Sequence, residues 1–420
     1  MVIVAKKLMK FLNVKIPTKF LKKLGPGLLF AGTAIGVSHL VQSTKAGAEF
    51  GLGLVWALII AIILKYPFFK YAAIYSLSTG ESILHGYKKL NPRLLYIFFF
   101  LSITTMFTIQ TAITIVTAGI ASSIFGGLFS VEIWTIIITI LSFILLSQGK
   151  FNALDKLIKY LIIALSLSTI LSFFLAGFEF GKPIEFQQVF PITNTEVIFL
   201  IAFMGWMPAP LDVSIWNSLW TVEKSKEQQN SIKNSIFDFN LGYFGTAVLG
   251  ICFIGIGYFT IYHSTETLSD SSSVFSNQLI NLYTNTLGDW SYYLIAIAAF
   301  STMLSTTITA FDASPRAMAV TTELIFDKKI RNIYVIWLLI LSLGTILIFF
   351  AFSSQMGMLI KIATILSFLT APFYAITNYI LISSNNTPKE YRPSKLMHLL
   401  SVLGFIYLLG FSVFFLIKGI

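Results

Sequence analysis

Residues 205–210 read Gly205-Trp-Met-Pro-Ala-Pro210, in the middle of an apolar segment that runs from about 195 to 220. Pro208 and Pro210 have no amide hydrogen to give to a helix and crowd the preceding turn, so a helix arriving here ends near Met207 and restarts beyond Pro210. A second interruption lies upstream. Gly25-Pro26-Gly27 opens an apolar segment whose centre holds Gly36-Val37-Ser38-His39. Counted along the chain, these are the first and the sixth apolar segments. Unwound backbone is tolerated at membrane depth only where protein buries it or where it lines a cavity. Two breaks five segments apart fit a five-plus-five inverted repeat whose discontinuous helices meet at mid-membrane, as in secondary transporters. The carbonyl ends at such breaks hold cations and the amide ends hold anionic groups, so the pattern predicts transport without naming the species. Simple proline kinks are the plainer alternative for either break taken alone.

Outward from the breaks, the composition places nearly the whole chain in lipid. Of 420 residues 56% are apolar and 11% charged, where a soluble domain carries about a quarter charged residues. Mean hydropathy is +0.82. Apolar segments fall at about 25–48, 53–78, 94–123, 131–148, 156–177, 195–220, 238–261, 289–313, 332–352, 356–383 and 396–417. The expectation is therefore an all-α membrane protein of about eleven spans. A single transmembrane domain over 25–420 follows a basic arm over 1–24, with no cleaved signal peptide.

The net charge of +11 would raise a nucleic-acid partner in a soluble protein, but the positions of the charges answer otherwise. Twenty-three of the 29 basic residues lie in the arm and in the even-numbered connections, among them Lys88, Lys89, Arg93, Lys224, Lys328, Lys329 and Arg392. The odd-numbered connections hold Glu179, Glu185, Glu266, Asp270 and Asp289. The positive-inside rule then puts the N-terminus in the cytoplasm and the C-terminus outside, as in a bacterial inner membrane. The partners expected are the lipid bilayer and a small ion or solute, with no nucleic acid. The lone cysteine, Cys252, offers neither a disulfide nor a cysteine-rich metal site.

Gly25-Pro-Gly-Leu-Leu-Phe-Ala31, Ala46-Gly-Ala-Glu-Phe-Gly51, Leu54-Val-Trp56, Ser78-Thr-Gly-Glu81, Leu154-Asp-Lys-Leu157, Ser305-Thr-Thr-Ile-Thr309 and Ala371-Pro-Phe373 together resemble the natural resistance-associated macrophage protein (Nramp) family. That resemblance implies the leucine-transporter fold and proton-linked transport of divalent metals. Met207-Pro208 match the family's sixth-span motif, whose methionine sulfur is a soft metal ligand. The departures lie at the site itself. Where the family carries Asp-Pro-Gly-Asn, this chain has Gly36-Val-Ser-His39, and where the family continues with His-Asn it has Ala209-Pro210. In the third span Thr111 and Thr114 stand about where the family's proton-carrying Asp and Glu stand, and no acidic residue lies between Glu81 and Glu132. The family's backbone ligands map to the carbonyls near Thr33 and Met204.

The residues left to bind substrate are Thr33, Gly36, His39, Met204, Met207 and Asp212. Ionisable groups inside a bilayer are costly and mark functional positions. His39 at the first break, Asp212 four residues past Pro208, and Met207 form the candidate metal-ligating set, with hydrogen-bonded core roles as the alternative for His39 and Asp212. Ser305, Thr306 and Thr307 offer hydroxyls to a coupling ion, or serve as polar contacts between helices. Asp312 and Arg316, one turn apart, suggest a structural ion pair. Lys65, inside the second span, balances Glu49 or a transported charge.

The expected function is an Nramp-like secondary transporter of a divalent metal cation through a rebuilt site, coupled to protons or sodium. The alternative is a small organic solute, such as an amino acid, in the room that Gly36 opens where the family has Asp. No nucleotide loop, catalytic triad spacing or metalloenzyme motif points to an enzyme, and no cofactor is expected.

Overall fold

The structure is a computed structural model that describes residues 26–125, 128–148, 151–179, 185–227, 231–262, 264, 267–352 and 355–418. The basic arm expected over 1–24 lies outside the described residues. The first span is two helices, α1 (Pro26–Ala34) and α2 (Thr44–Phe50), joined by a wider-turn π segment over Ser38–Ser43. Next come α3 (Val55–Thr79), the short α4 (Ile83–Leu90), α5 (Arg93–Ile124), α6 (Val131–Ser147) and α7 (Phe151–Glu179). The sixth span is again two helices, α8 (Asn194–Trp206) and α9 (Val213–Glu227), separated by the Met207 to Asp212 stretch. The rest are α10 (Ile232–Gly257), α11 (Ser272–Leu287), α12 (Tyr292–Phe326), α13 (Ile333–Ala351), α14 (Met356–Ser383) and α15 (Lys395–Lys418).

Seven of these, α3, α5, α10, α12, α13, α14 and α15, are long and apolar enough to cross a bilayer by themselves. With α6, α7 and the two broken spans they make the eleven passages read from the sequence. Apolar side chains such as Phe100, Leu347 and Leu416 are exposed on the outer faces, as lipid-facing helices require. One expectation needs correction. The eighth span continues past 313 to Phe326. The connection from about 261 to 289 contains α11, which buries Phe275, Leu279, Ile280 and Tyr283 and packs on α5.

Local chemistry explains the ends. Thr193 and Glu196 form a reciprocal capping box at the start of α8. Gly80, at φ +72°, closes α3 in the left-handed conformation that glycine adopts without steric cost.

The first span is held along its length by α10. Gly27 donates its N–H to the Asp238 carboxylate at 2.8 Å. A β-carbon on Gly47 would lie 1.9 Å from the Ile254 carbonyl oxygen, and one on Gly257 would lie 2.3 Å from that of Thr44. Small residues let two membrane helices meet backbone to backbone, gaining dispersion contacts where no water-driven term is available.

At the end of the molecule where α9 finishes, polar contacts seal the bundle. Ser218 on α9 accepts the Ile83 N–H at 2.7 Å. Asn378 on α14 accepts from the Tyr87 hydroxyl at 2.5 Å and donates to the Phe68 carbonyl and to Ser214, both at 3.1 Å. Lys88 donates to the Leu324 carbonyl at 2.8 Å and pairs with Asp327, placing a cation at the negative end of α12.

Candidate functional site

The last turn of a helix leaves carbonyls without intrahelical partners, and the Met207 to Asp212 stretch adds more. At the sixth-span break they are gathered by one side chain. Lys65, fully buried on α3, donates to the carbonyls of Gly205 at 2.7 Å, Met204 at 2.8 Å and Met207 at 3.0 Å, with Ala209 at 3.4 Å. An ammonium has three hydrogens to give, and the three shorter contacts use them. Its charge also suits the negative end of α8. The Met204 carbonyl, expected as a substrate ligand, thus carries an internal cation, and Lys65 balances the break rather than Glu49.

Between the two breaks lies a cavity of about 30 Å³, lined by Thr33, Val37, Trp206, Pro210, Trp216 and Thr306 among others. That is room for one or two waters or a bare ion. Thr33 and Thr306 are the predicted residues that reach it. Gly36 does not enlarge it, because Thr306 fills the space: a β-carbon on Gly36 would fall 2.9 Å from the threonine methyl. The Thr306 hydroxyl donates to the Gly32 carbonyl at 3.0 Å and lies 3.5 Å from that of Ile35, tying α12 to the first break.

The set of His39, Met207 and Asp212 is not brought to one point. His39 is fully buried, with Nε2 2.9 Å from the Thr246 carbonyl on α10 and Nδ1 2.9 Å from the Ala34 carbonyl and 2.8 Å from Ser38 Oγ. Both ring nitrogens are occupied, Nε2 by α10 and Nδ1 by the first break itself. The Met207 sulfur faces Ser43, whose hydroxyl donates to it at 3.7 Å. Asp212 lines a separate space of about 10 Å³ with Ser102, Thr105, Met106 and Ser314, where its buried Oδ1 has no hydrogen-bond partner. Trp216 borders both spaces and stands as the partition between them.

In place of carboxylates α5 carries neutral polar groups. Thr111 donates to the Phe107 carbonyl at 2.7 Å, Thr114 donates to the Gln110 carbonyl at 2.8 Å, and Thr117 shares a hydrogen bond with Thr307 at 2.7 Å. Ser305 Oγ is buried without a partner. Asp312 and Arg316 form the expected pair at 2.7 Å, and the Tyr334 hydroxyl on α13 donates to Asp312 at 2.8 Å. Among the described residues no cluster of three or more His, Cys, Asp or Glu side chains is arranged to hold a metal.

At the end of the bundle where α2 finishes, a vestibule of about 540 Å³ opens, lined by Gln42, Glu49, Glu196, Ala202, Lys361 and the Lys45–Asp270 pair, whose atoms are 2.6 Å apart. The molecule is thus open over one set of half-helices and sealed by Asn378 and Tyr87 over the other. Sequence reasoning missed Trp216, Asn378 and Tyr87. The only advance signal for Trp216 and Asn378 was polar or amphipathic character within apolar segments, and Tyr87, in the connection between the second and third segments, had none.

The model of the family described as natural resistance-associated macrophage protein-like matches residues 27–418. Uncharacterized protein PM0681 of Pasteurella multocida (strain Pm70) is 34% identical over 399 residues, 94% of this chain and 91% of that one. Metal transporter Nramp3 of Oryza sativa subsp. japonica is 24% identical over 388 residues, 89% of this chain and 69% of the relative. Among solved structures, the Eremococcus coleocola manganese transporter bound to an aromatic bis-isothiourea substituted compound superposes with a TM-score of 0.73 at 15% identity. The match covers 96% of this chain and 88% of that one.

Proposed function

Because the chain belongs to the natural resistance-associated macrophage protein-like family, we propose that it is a secondary transporter moving a divalent metal cation between its two helix breaks. The observation that carries this reading is the central cavity of about 30 Å³. It is sized for an ion, whereas pockets for organic ligands run to about 300 Å³ and more. The space that Gly36 was expected to free for an amino acid is filled by Thr306. The break also supports a cation: its carbonyl oxygens converge on one positive group.

In this reading Thr33, Gly36, Met204 and Met207 supply backbone oxygen and sulfur around the substrate. His39 holds α10 to the first break, and Asp212 supplies negative charge beyond Trp216. Basic connections on the sealed side support a cytoplasmic position for that side, with the N-terminus inside and the vestibule facing outward. Rocking of the first and sixth spans against the remainder would exchange the open and sealed ends. Ser305, with its free hydroxyl, and Thr306 and Thr307 beside it are proposed to meet the coupling ion.

Manganese uptake into vesicles containing the purified protein, with magnesium and zinc as competitors, tests the proposal. Saturable uptake above empty vesicles is expected. Its absence for all three metals sinks the reading.

A further inference from the structure

We propose that Lys65 is a tethered cation that competes with the cargo for the sixth-span carbonyls and steps aside to Asp212 when the cargo binds. The inference rests on the metal-transport reading for the identity of the cargo, and on geometry for the rest.

Lys65 makes its short hydrogen bonds to the backbone oxygens of the break and to no side chain. Those oxygens cannot serve a second cation while they serve the ammonium, since a divalent ion brought beside it meets like charge in a medium that screens poorly. A cargo that uses the Met204 or Met207 carbonyl must therefore displace Lys65. A displaced buried ammonium needs a new partner, because an unpaired charge is not tolerated there. One is at hand. Asp212 opens the other side of the same break, its charge acts on Lys65, and its buried Oδ1 is without a hydrogen-bond partner. The side chain of Lys65 is a flexible four-carbon stem, able to swing its head between neighbouring seats.

This arrangement accounts for the missing metal-site carboxylate. With no acid at Gly36, the site in its resting form is balanced by an internal cation and carries little excess charge. The Asp212 carboxylate, whose charge already acts on Lys65 at rest, pairs with it directly when cargo is present. Affinity is low by construction, and release is favoured by return of the ammonium.

The test is manganese titration of the purified full chain by calorimetry, with the variants Lys65→Met, Asp212→Asn and the double variant, each checked for monodispersity. Lys65→Met, lacking the competitor, is expected to bind manganese at least about tenfold tighter than the unaltered chain, equivalent to about 1.4 kcal/mol. Asp212→Asn, lacking the second seat, is expected to bind about tenfold weaker. In the double variant the Asp212 substitution is expected to have no further effect. Lys65→Met alone leaves a buried carboxylate unbalanced, so if it does not purify, the double variant measured against Asp212→Asn carries the same comparison.

Equal or weaker binding on removing Lys65 overturns the proposal. So does an Asp212→Asn effect of the same size with and without Lys65, which would make Asp212 a direct ligand. Vesicle flux separates the two readings. Metal flux in the unaltered chain without tighter binding in Lys65→Met rejects the tethered cation alone. No metal flux in the unaltered chain, with saturable cation binding gained in Lys65→Met, rejects metal transport and retains the tethered cation.

Discussion

The carbonyl oxygen of Gly27 lies 2.2 Å from the point where a β-carbon at residue 242 would sit. The two backbones touch there, in the first turn of α1, and no side chain fits between them. Gly242→Ala is expected to lower stability by about 1–3 kcal/mol through overpacking, and Gly242→Leu to prevent assembly. Thermal unfolding in detergent, followed by size-exclusion profile, reads both. An unaltered melting temperature for Gly242→Ala would mean that α1 and α10 separate freely.

His39 is placed to hold helices together. Replacing it by glutamine is expected to cost about 1–3 kcal/mol, the worth of two buried hydrogen bonds left incomplete. Manganese affinity should change less than about twofold, since both ring nitrogens are already engaged by protein groups. The melting curve and calorimetric titration of His39→Gln decide the matter. Lost binding at unchanged stability would restore the imidazole as a ligand.

Asn378 joins α14 to α4, α3 and α9 by three hydrogen bonds. Asn378→Ala removes them all from the sealed end and should shift the population toward opening there. At about 1 kcal/mol net for a bond, even one lost contact gives roughly a fivefold shift. A cysteine at Thr221, in a background where Cys252 is replaced by serine, reports this opening by its rate of maleimide labelling. Labelling no faster in Asn378→Ala would show that the seal is held elsewhere.

His85 sits on α4, in the connection between the second and third spans, with Nδ1 2.8 Å from Ser82 Oγ. Burial holds its pKa below the ordinary 6.5, with Lys88 and Lys89 adding to the effect and Glu81 opposing it. The unfolded chain therefore takes up a proton at higher pH than the folded one. The stability linked to this group is fully present above pH 6.5 and is lost as pH falls below it toward the folded-state pKa. Melting temperatures measured from pH 7.5 to pH 5 should fall, and His85→Gln should fall less over the same range. Parallel curves would exclude His85 as a source of acid sensitivity.

The breaks and the number of spans were legible because proline and glycine act locally: Pro208 and Pro210 end a helix whatever surrounds them. What the local code did not carry was direction. His39 is drawn to the Thr246 carbonyl, 207 positions away, and nothing near His39 in the sequence marks that partner. Gly36 reads as an opening until the threonine that fills it is placed beside it. The α11 helix escaped notice because it is amphipathic and too short to span a bilayer. The eighth span was read too short because Asp312 and Arg316 resemble an end, whereas in the structure each satisfies the other and the helix runs on. Lys65 was noticed as a buried charge, but its partners are backbone oxygens, which every sequence possesses and none announces.

The asymmetry between the vestibule and the sealed end has an electrical meaning. Water in a space of about 540 Å³ conducts, so its floor near Gln42 and Ala202 sits close to the potential of the solution it opens to. The transmembrane voltage then falls mainly over the sealed half, across Trp216 and the contacts of Asn378. Each elementary charge moved through that drop exchanges about 2.3 kcal/mol per 100 mV with the field. Binding from the vestibule is thus nearly indifferent to membrane potential, and the step that carries charge past Trp216 is the one that the potential drives.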